Sequence, residues 1–200
     1  MKTPQFDIPC VILCGGKSSR MGEDKALLPF STYKTLTQYQ YERLKPYFKE
    51  IYLSSKTNKF DFDANIIYDN IASESSPLIA LKSIFEKLNS NRVFIITVDT
   101  PFVTIESIRK LIINSDISNI TIATTEYEHN LCGIYNKSCL SLINEMISNN
   151  NHKIGTLIRN TTSNKINFID ENEFLNLNKF NDYQKALSII SWSNIYYKII

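Results

Sequence analysis

Two short apolar runs, Ile8 to Cys14 and Val93 to Val98, constrain the fold most. Neither alternates polar with apolar residues, so each reads as a strand covered on both faces, the kind found inside a parallel sheet. The first run leads into a polar loop with paired glycines, and the second stops at Asp99-Thr100-Pro101. With 43% hydrophobic and 12% aromatic residues, the chain has enough apolar surface to bury a core around such strands.

The remaining elements alternate around these runs. Leu36, Tyr39, Leu44, Tyr47 and Phe48 mark a helix within Thr32 to Phe48, with Pro46 making its last turn irregular. Ile51 to Leu53 and Asn65 to Tyr68 read as short strands. Pro77 opens an amphipathic helix through Leu88, and Thr104 opens another carrying Ile105, Ile108, Leu111 and Ile112. Strands follow near Ile120 to Thr124 and Leu131 to Tyr135, then helices at Ser138 to Ile147 and Ile154 to Arg159. A strand at Lys165 to Ile169 and a helix near Asp182 to Ile190 complete the order. Strands separated by helices imply βαβ units. The expected architecture is a single three-layer α/β/α Rossmann-like domain, residues 1–200, with a mainly parallel sheet. The apolar tail, 191–200, is expected to pack on the domain or meet a partner.

Bulk properties exclude several classes of function. Twenty-two basic against 20 acidic residues leave a net charge of +2, which argues against nucleic acid or an anionic membrane as the main partner. The run near the N-terminus is about seven residues and carries Pro9, against the roughly 20 residues that a membrane span needs. It also lacks the small-residue cleavage site of a signal peptide. A cytoplasmic protein without membrane attachment is expected. Cys10, Cys14, Cys132 and Cys139 match no common zinc spacing and read as buried reduced thiols.

Glycine is scarce. Average usage of about 7% would give roughly 14 in a chain of this length, and there are five. Three of them, Gly15, Gly16 and Gly22, fall in the loop after the first strand. That loop lies at the carboxyl edge of the sheet, where α/β folds bind ligands. Paired glycines can turn several N–H groups toward one phosphate, and Arg20 and Lys25 add positive charge. The alternative is a surface turn with incidental charge. The pattern is neither a Walker loop nor the dinucleotide fingerprint.

Asp99, at the end of the second apolar run, is either a turn or cap aspartate ahead of Pro101 or a hard oxygen ligand for Mg²⁺ beside a phosphate loop. Asp69 ends its own strand in the same way and, alone, reads more readily as a turn residue.

The series Leu13-x-Gly15-Gly16-x-Ser18-x-Arg20-Met21-Gly22-x-Asp24-Lys25-x-Leu27-Leu28 closely resembles the signature of the molybdenum cofactor guanylyltransferases, within the nucleotidyltransferase superfamily. Asp69 stands where that family has an aspartate after its third strand, and Asp99-Thr100-Pro101 matches its Asp-x-Pro metal site. Ser76-Pro77-Leu78 resembles its Gly-Pro-Leu segment, with serine in place of glycine. His129 ahead of Gly133 resembles its His-Pro strand. Asn176-Leu177-Asn178 with Asp182 resembles its C-terminal Asn-x-Asn segment. The matches run in order from about residue 8 to 190.

The resemblance implies the nucleotide-diphospho-sugar transferase type of fold, with a nucleotide half to about residue 103 and an acceptor half from 104 to 190. It implies transfer of GMP from GTP to the terminal phosphate of the molybdenum-molybdopterin cofactor, with Mg²⁺ and with release of pyrophosphate. Arg20, Lys25 and Asp99 would be catalytic, with Asp99 holding the metal. Leu13, Cys14, Gly15, Gly16, Gly22, Lys25, Ser54, Asp69, Pro77 and Asp99 would bind the nucleotide. His129, Asn176 and Asn178 are candidates for the acceptor, although His129 also reads as a surface residue and the two asparagines as caps of the last helix. Molybdenum insertion proteins or molybdoenzyme chaperones are implied partners, and the enzyme would be a monomer or weak oligomer. Two rival readings use the same residues: a cytidylyltransferase for this or another phosphorylated small molecule, and a non-catalytic module that binds nucleotide or cofactor.

Overall fold

A computed structural model describes residues 5–15, 24–69 and 76–196, with side chains through 190. Its strands are β1 (Cys10–Leu13), β2 (Ile51–Ser55), β3 (Asn65–Tyr68), β4 (Arg92–Thr97), β5 (Ile120–Thr124), β6 (Glu128–Asn136) and β7 (Ser163–Asn167). Its helices are α1 (Leu36–Leu44), α2 (Pro77–Lys87), α3 (Ile105–Ile113), α4 (Leu140–Ser148), α5 (Ile154–Arg159) and α6 (Phe180–Tyr196). The sheet order is β3-β2-β1-β4-β6-β5-β7. Among the described strands, β6 alone runs against its neighbours, pairing antiparallel with β4 and β5.

Alternation along the inner strands builds the three layers. Cys10 and Ile12 of β1, with Phe94 and Ile96 of β4, face a core that includes Leu36 and Leu44 of α1, Ile108 and Leu111 of α3, and Tyr183 and Ala186 of α6. Val11, Leu13, Val93 and Ile95 face the opposite core, with Leu78, Leu81 and Phe85 of α2, Ile143 of α4 and Leu157 of α5. Each fully buried side chain of this size contributes about 1.5–3 kcal/mol, so β1 and β4 hold the two layers together. All four cysteines are buried and unbridged. Burial pushes the Cys14 and Cys132 thiols up to about 12 and Cys139 to about 11, which keeps them protonated and chemically quiet.

The structure adjusts several boundaries. β1 begins at Cys10 because Pro9 has no N–H for the ladder; its carbonyl still accepts from Phe94 N at 2.9 Å. The irregular turn at Pro46 is a 3₁₀ turn, Lys45–Tyr47. The last strand is Ser163–Asn167 and pairs parallel with β5, leaving Ile169 outside it and 96% exposed. The last helix starts at Phe180, and the apolar tail from 191 lies outside the residues whose side chains are described. β5 and β6 form a hairpin turning at 125–127, with Thr125 N donating to Tyr127 O at 2.9 Å. No helix separates those two strands, which is why β6 enters the sheet reversed.

Candidate active site

The carboxyl ends of β1, β2, β3 and β4 meet at one edge, and the site is built from the residues just beyond each strand. Parallel register carries past the strands: Cys14 N donates to Ser54 O at 2.9 Å, Asp69 N to Ser55 O at 3.1 Å and Val98 N to Leu13 O at 3.1 Å. The Cys14 N–H is therefore engaged by the sheet, and its thiol lies in the core.

Asp99 is pinned from behind. Its loop is held by two α1 side chains, with Gln40 Nε2 donating to Thr100 O at 3.1 Å and Arg43 Nη1 to Val103 O at 2.6 Å. The Asp99 carboxylate is buried, and its Oδ2 pairs with Lys25 Nζ. Oδ1 is buried and has no hydrogen-bond partner among the described residues. Such an atom is costly unless something binds it. Lys25 starts a 3₁₀ turn, Lys25–Leu27, that Asp24 caps by accepting from Ala26 N at 3.1 Å. Thr37 Oγ1 of α1 donates to Ala26 O at 2.7 Å and fixes the turn.

The loop before α6 closes over this pair through its backbone. Leu177 N donates to Asp99 O at 2.9 Å, and Leu177 O accepts from Lys25 Nζ at 3.4 Å. Asn176 and Asn178 flank Leu177 and are exposed. The cap on this side comes from Asp182, whose Oδ2 accepts from Asn178 N at 3.1 Å and Lys179 N at 2.8 Å.

A cavity of about 350 Å³, within the range of small-molecule sites, opens at the same sheet edge; Asp24 and Thr97 line it, whereas Lys25 and Asp99 themselves are not in its wall. Leu13, Gly15, Ser54, Asp69 and Pro77 all line it. Asp69 is buried and accepts from Ser54 Oγ at 2.7 Å. Burial pushes the Asp69 carboxyl above its ordinary range, against the pull of the Ser54 hydroxyl and the Lys56 charge. A Cβ on Gly15 would lie 3.6 Å from Asp69 Oδ2, an ordinary contact, so space alone does not demand glycine there. Ser76 caps α2, accepting from Ile79 N at 3.3 Å, and its hydroxyl also meets His152 Nδ1 at 3.1 Å.

Gly16, Arg20 and Gly22 lie outside the described residues, as does the remainder of the loop from 16 to 23. His129 is half-buried at the start of β6, stacked on Phe174 at 4.7 Å and bonded to Thr125 Oγ1 at 3.0 Å. It is not part of the cavity wall. Gly133 answers to packing: a Cβ there would lie 2.1 Å from Thr121 O, beside the register shift in β5.

The sequence reading did not single out Ser55, at the end of β2, or Lys56, Thr57 and Lys59 of the β2–β3 connection, which all line the cavity. The signal was available: the connection leaves a strand at the same sheet edge as the glycine loop and carries two lysines.

A metal fits the residues present. Among the described residues no cluster of three or more His, Cys, Asp or Glu side chains could hold an ion by itself. Mg²⁺ usually needs only one or two carboxylates and takes its other ligands from phosphates and water. The unpartnered Asp99 Oδ1 suits that role. No helix among the described residues is long and apolar enough to cross a membrane.

A mainly parallel three-layer fold with a cavity at the carboxyl ends of its strands is the arrangement in which α/β proteins bind ligands. The model of the MobA-like NTP transferase domain matches residues 10–165. A molybdenum cofactor guanylyltransferase of Helicobacter pylori (strain G27) is 36% identical over 196 residues, covering 95% of this chain and 97% of its own. One from Campylobacter jejuni (serotype O:6) is 37% identical over 185 residues, covering 91% and 96%. The chain belongs to the MobA-like NTP transferase family. A crystal structure of molybdopterin-guanine dinucleotide biosynthesis protein A from Archaeoglobus fulgidus superposes with a TM-score of 0.78 at 18% identity, covering 92% of this chain and 99% of that one. It supports the fold.

Proposed function

We propose that the protein transfers GMP from GTP to the terminal phosphate of the molybdenum-molybdopterin cofactor, releasing pyrophosphate. The observation that carries the chemistry is Asp99: buried, one oxygen on Lys25, the other without a partner among the described residues, at the same sheet edge as a cavity lined by Asp24 and Thr97. The choice of substrates rests on the two relatives that bear that name over nearly their full length.

In this reading an acceptor phosphate oxygen attacks the α-phosphorus of GTP, the α–β phosphoanhydride bond breaks, and pyrophosphate leaves. The nucleophile belongs to the substrate, so the protein contributes position and charge. Lys25 neutralises the departing pyrophosphate, with Arg20 as its expected companion. Asp99 would hold Mg²⁺, which would supply charge neutralisation at the phosphates. Leu13, Gly15, Ser54, Asp69 and Pro77 form the nucleoside wall. Asn176 and Asn178, on the loop that grips Lys25 and Asp99, face the acceptor, and His129 borders that half.

Thermal-shift titration with GTP, CTP, ATP and UTP in Mg²⁺ tests the nucleotide. GTP at a hundred times its dissociation constant should add about 2.7 kcal/mol of stability, a rise of roughly 5–11 °C for a chain of this size. A larger response to CTP would overturn the guanine assignment. Failure to release pyrophosphate from GTP with molybdenum-bound molybdopterin would overturn the catalytic reading and favour a binding module.

A further inference from the structure

Lys59, in the connection between β2 and β3, reaches both ends of the glycine loop at once. Its ammonium donates to Cys14 O, just before the loop, at 3.1 Å. It also pairs with Asp24 Oδ2, just after the loop. The other Asp24 oxygen caps the 3₁₀ turn that begins with Lys25, and Lys25 pairs with Asp99. A continuous chain of contacts thus runs from Lys59 through Asp24 to the Lys25–Asp99 pair. The Lys59 side chain is 22% exposed and lines the cavity, so water screens it only in part.

The arrangement is specific in its chemistry. A carbonyl and a carboxylate are both acceptors, and an ammonium with three donors can hold both while aiming each bond separately. Without it, Asp24 would keep its cap but lose the partner that fixes its orientation, and Cys14 O would lose its bond to the ammonium.

We propose that Lys59 is a positioning residue for nucleotidyl transfer: it ties the two ends of the glycine loop together and so fixes the turn that presents Lys25. The proposal rests on the assignment of nucleotidyl transfer to this site, and it concerns a residue outside the signature that identifies the family. Its action runs through Asp24, and this separates it from a lysine that simply touches nucleotide.

The test is a double-mutant cycle on the full-length protein, with Lys59→Met, which keeps the apolar stem, Asp24→Asn, and both together. Pyrophosphate release is followed at varied GTP, and thermal unfolding is measured beside it. Each single variant should lose on the order of 100-fold in kcat/KM, as expected when reacting groups are misplaced. The loss should appear in kcat as well as in KM, because Lys25 is displaced. The double variant should be no worse than the poorer single, since both break one linkage. Lys59→Arg should restore at least half of the lost activity.

Additive losses would overturn the proposal by making Lys59 an independent nucleotide contact. So would a near-wild-type kcat/KM in Lys59→Met, or an activity loss explained in full by loss of folded protein. If the wild-type protein proves to use another nucleotide, the guanylyl reading fails, and the same cycle run on that nucleotide still decides the role of Lys59.

Discussion

Lys25 and Asp99 are 74 residues apart in sequence and are joined side chain to side chain at the carboxyl edge of the sheet. Asp99 sits on a loop clamped by α1, and Lys25 on a turn that α1 also fixes through Thr37. One helix therefore sets both ends of the pair.

Asp99→Asn keeps the shape of the side chain and removes its charge. It should cost on the order of 100-fold or more in pyrophosphate release, the usual loss when a preorganised electrostatic group is taken away. Lys25→Ala should do the same and, in addition, leave a buried carboxylate without its cation, costing about 1–3 kcal/mol of stability. Steady-state kinetics with GTP and chemical denaturation of the two variants check both effects. Near-wild-type transfer by either would remove the pair from the mechanism.

Asp69 gives a pH dependence of known sign. Its native carboxyl titrates above the ordinary value of 3.8, mainly because burial disfavours the charge. The folded protein therefore holds this proton at pH values where the unfolded chain has released it, so this group's contribution to stability falls as pH rises above the ordinary aspartate range. Asp69→Asn should be more stable than wild type at neutral pH and should lack that slope, as read from unfolding midpoints between pH 4 and 7. If Asp69 contacts the nucleoside, the same variant should bind GTP about tenfold or more weakly, a charged hydrogen bond being worth about 1.5–3 kcal/mol.

His129 has the opposite sign. Burial lowers its pKa below 6.5, so the unfolded chain takes up a proton that the native imidazole resists. The stability it contributes is complete above the ordinary histidine value and is lost as pH falls through the lowered one. Replacing it by Phe, which can still stack on Phe174, should flatten the acid side of the profile. An unchanged slope in His129→Phe would show that another group titrates there.

Gly133→Ala should be among the more disruptive substitutions outside the site. The added methyl would meet the Thr121 carbonyl at 2.1 Å and Ile122 Cα at 2.9 Å, both backbone atoms. Overpacking of this kind costs about 1–3 kcal/mol, and the upper end corresponds to a fall of roughly 6–12 °C in the unfolding midpoint. Gly155→Ala, where the nearest atom would be an arginine nitrogen at 3.4 Å, is the matched control and should change little.

The sheet was legible because Ile8 to Cys14 and Val93 to Val98 are apolar on both faces, and the structure makes β1 and β4 central neighbours. Asp69 and Asp99 stood out because each follows a predicted strand, although only β4 is a buried one and β3 is an edge strand with a single buried residue. The reversal of β6 was written in the missing helix between Thr124 and Leu131, a signal of absence that periodicity does not report. Lys59 was not legible, since a lysine in a connection looks like any solvated lysine until the loop it grips is folded. Leu177 was hidden for a deeper reason. It acts through its peptide N–H and carbonyl, which every residue but proline possesses, so its side chain carries no trace of the role.

That contact by Leu177 has a consequence for the order in which the molecule is completed. The residues of all seven described strands have been made once synthesis reaches Asn167, the end of β7. The peptide on which Lys25 and Asp99 converge comes later, and Tyr183, whose hydroxyl donates to Pro29 O, later still. A nascent chain that has reached the end of β7 therefore still lacks the last wall around the Lys25–Asp99 pair, and a chain truncated there would also lack Leu177, Tyr183 and Ala186 from the core that covers β1 and β4.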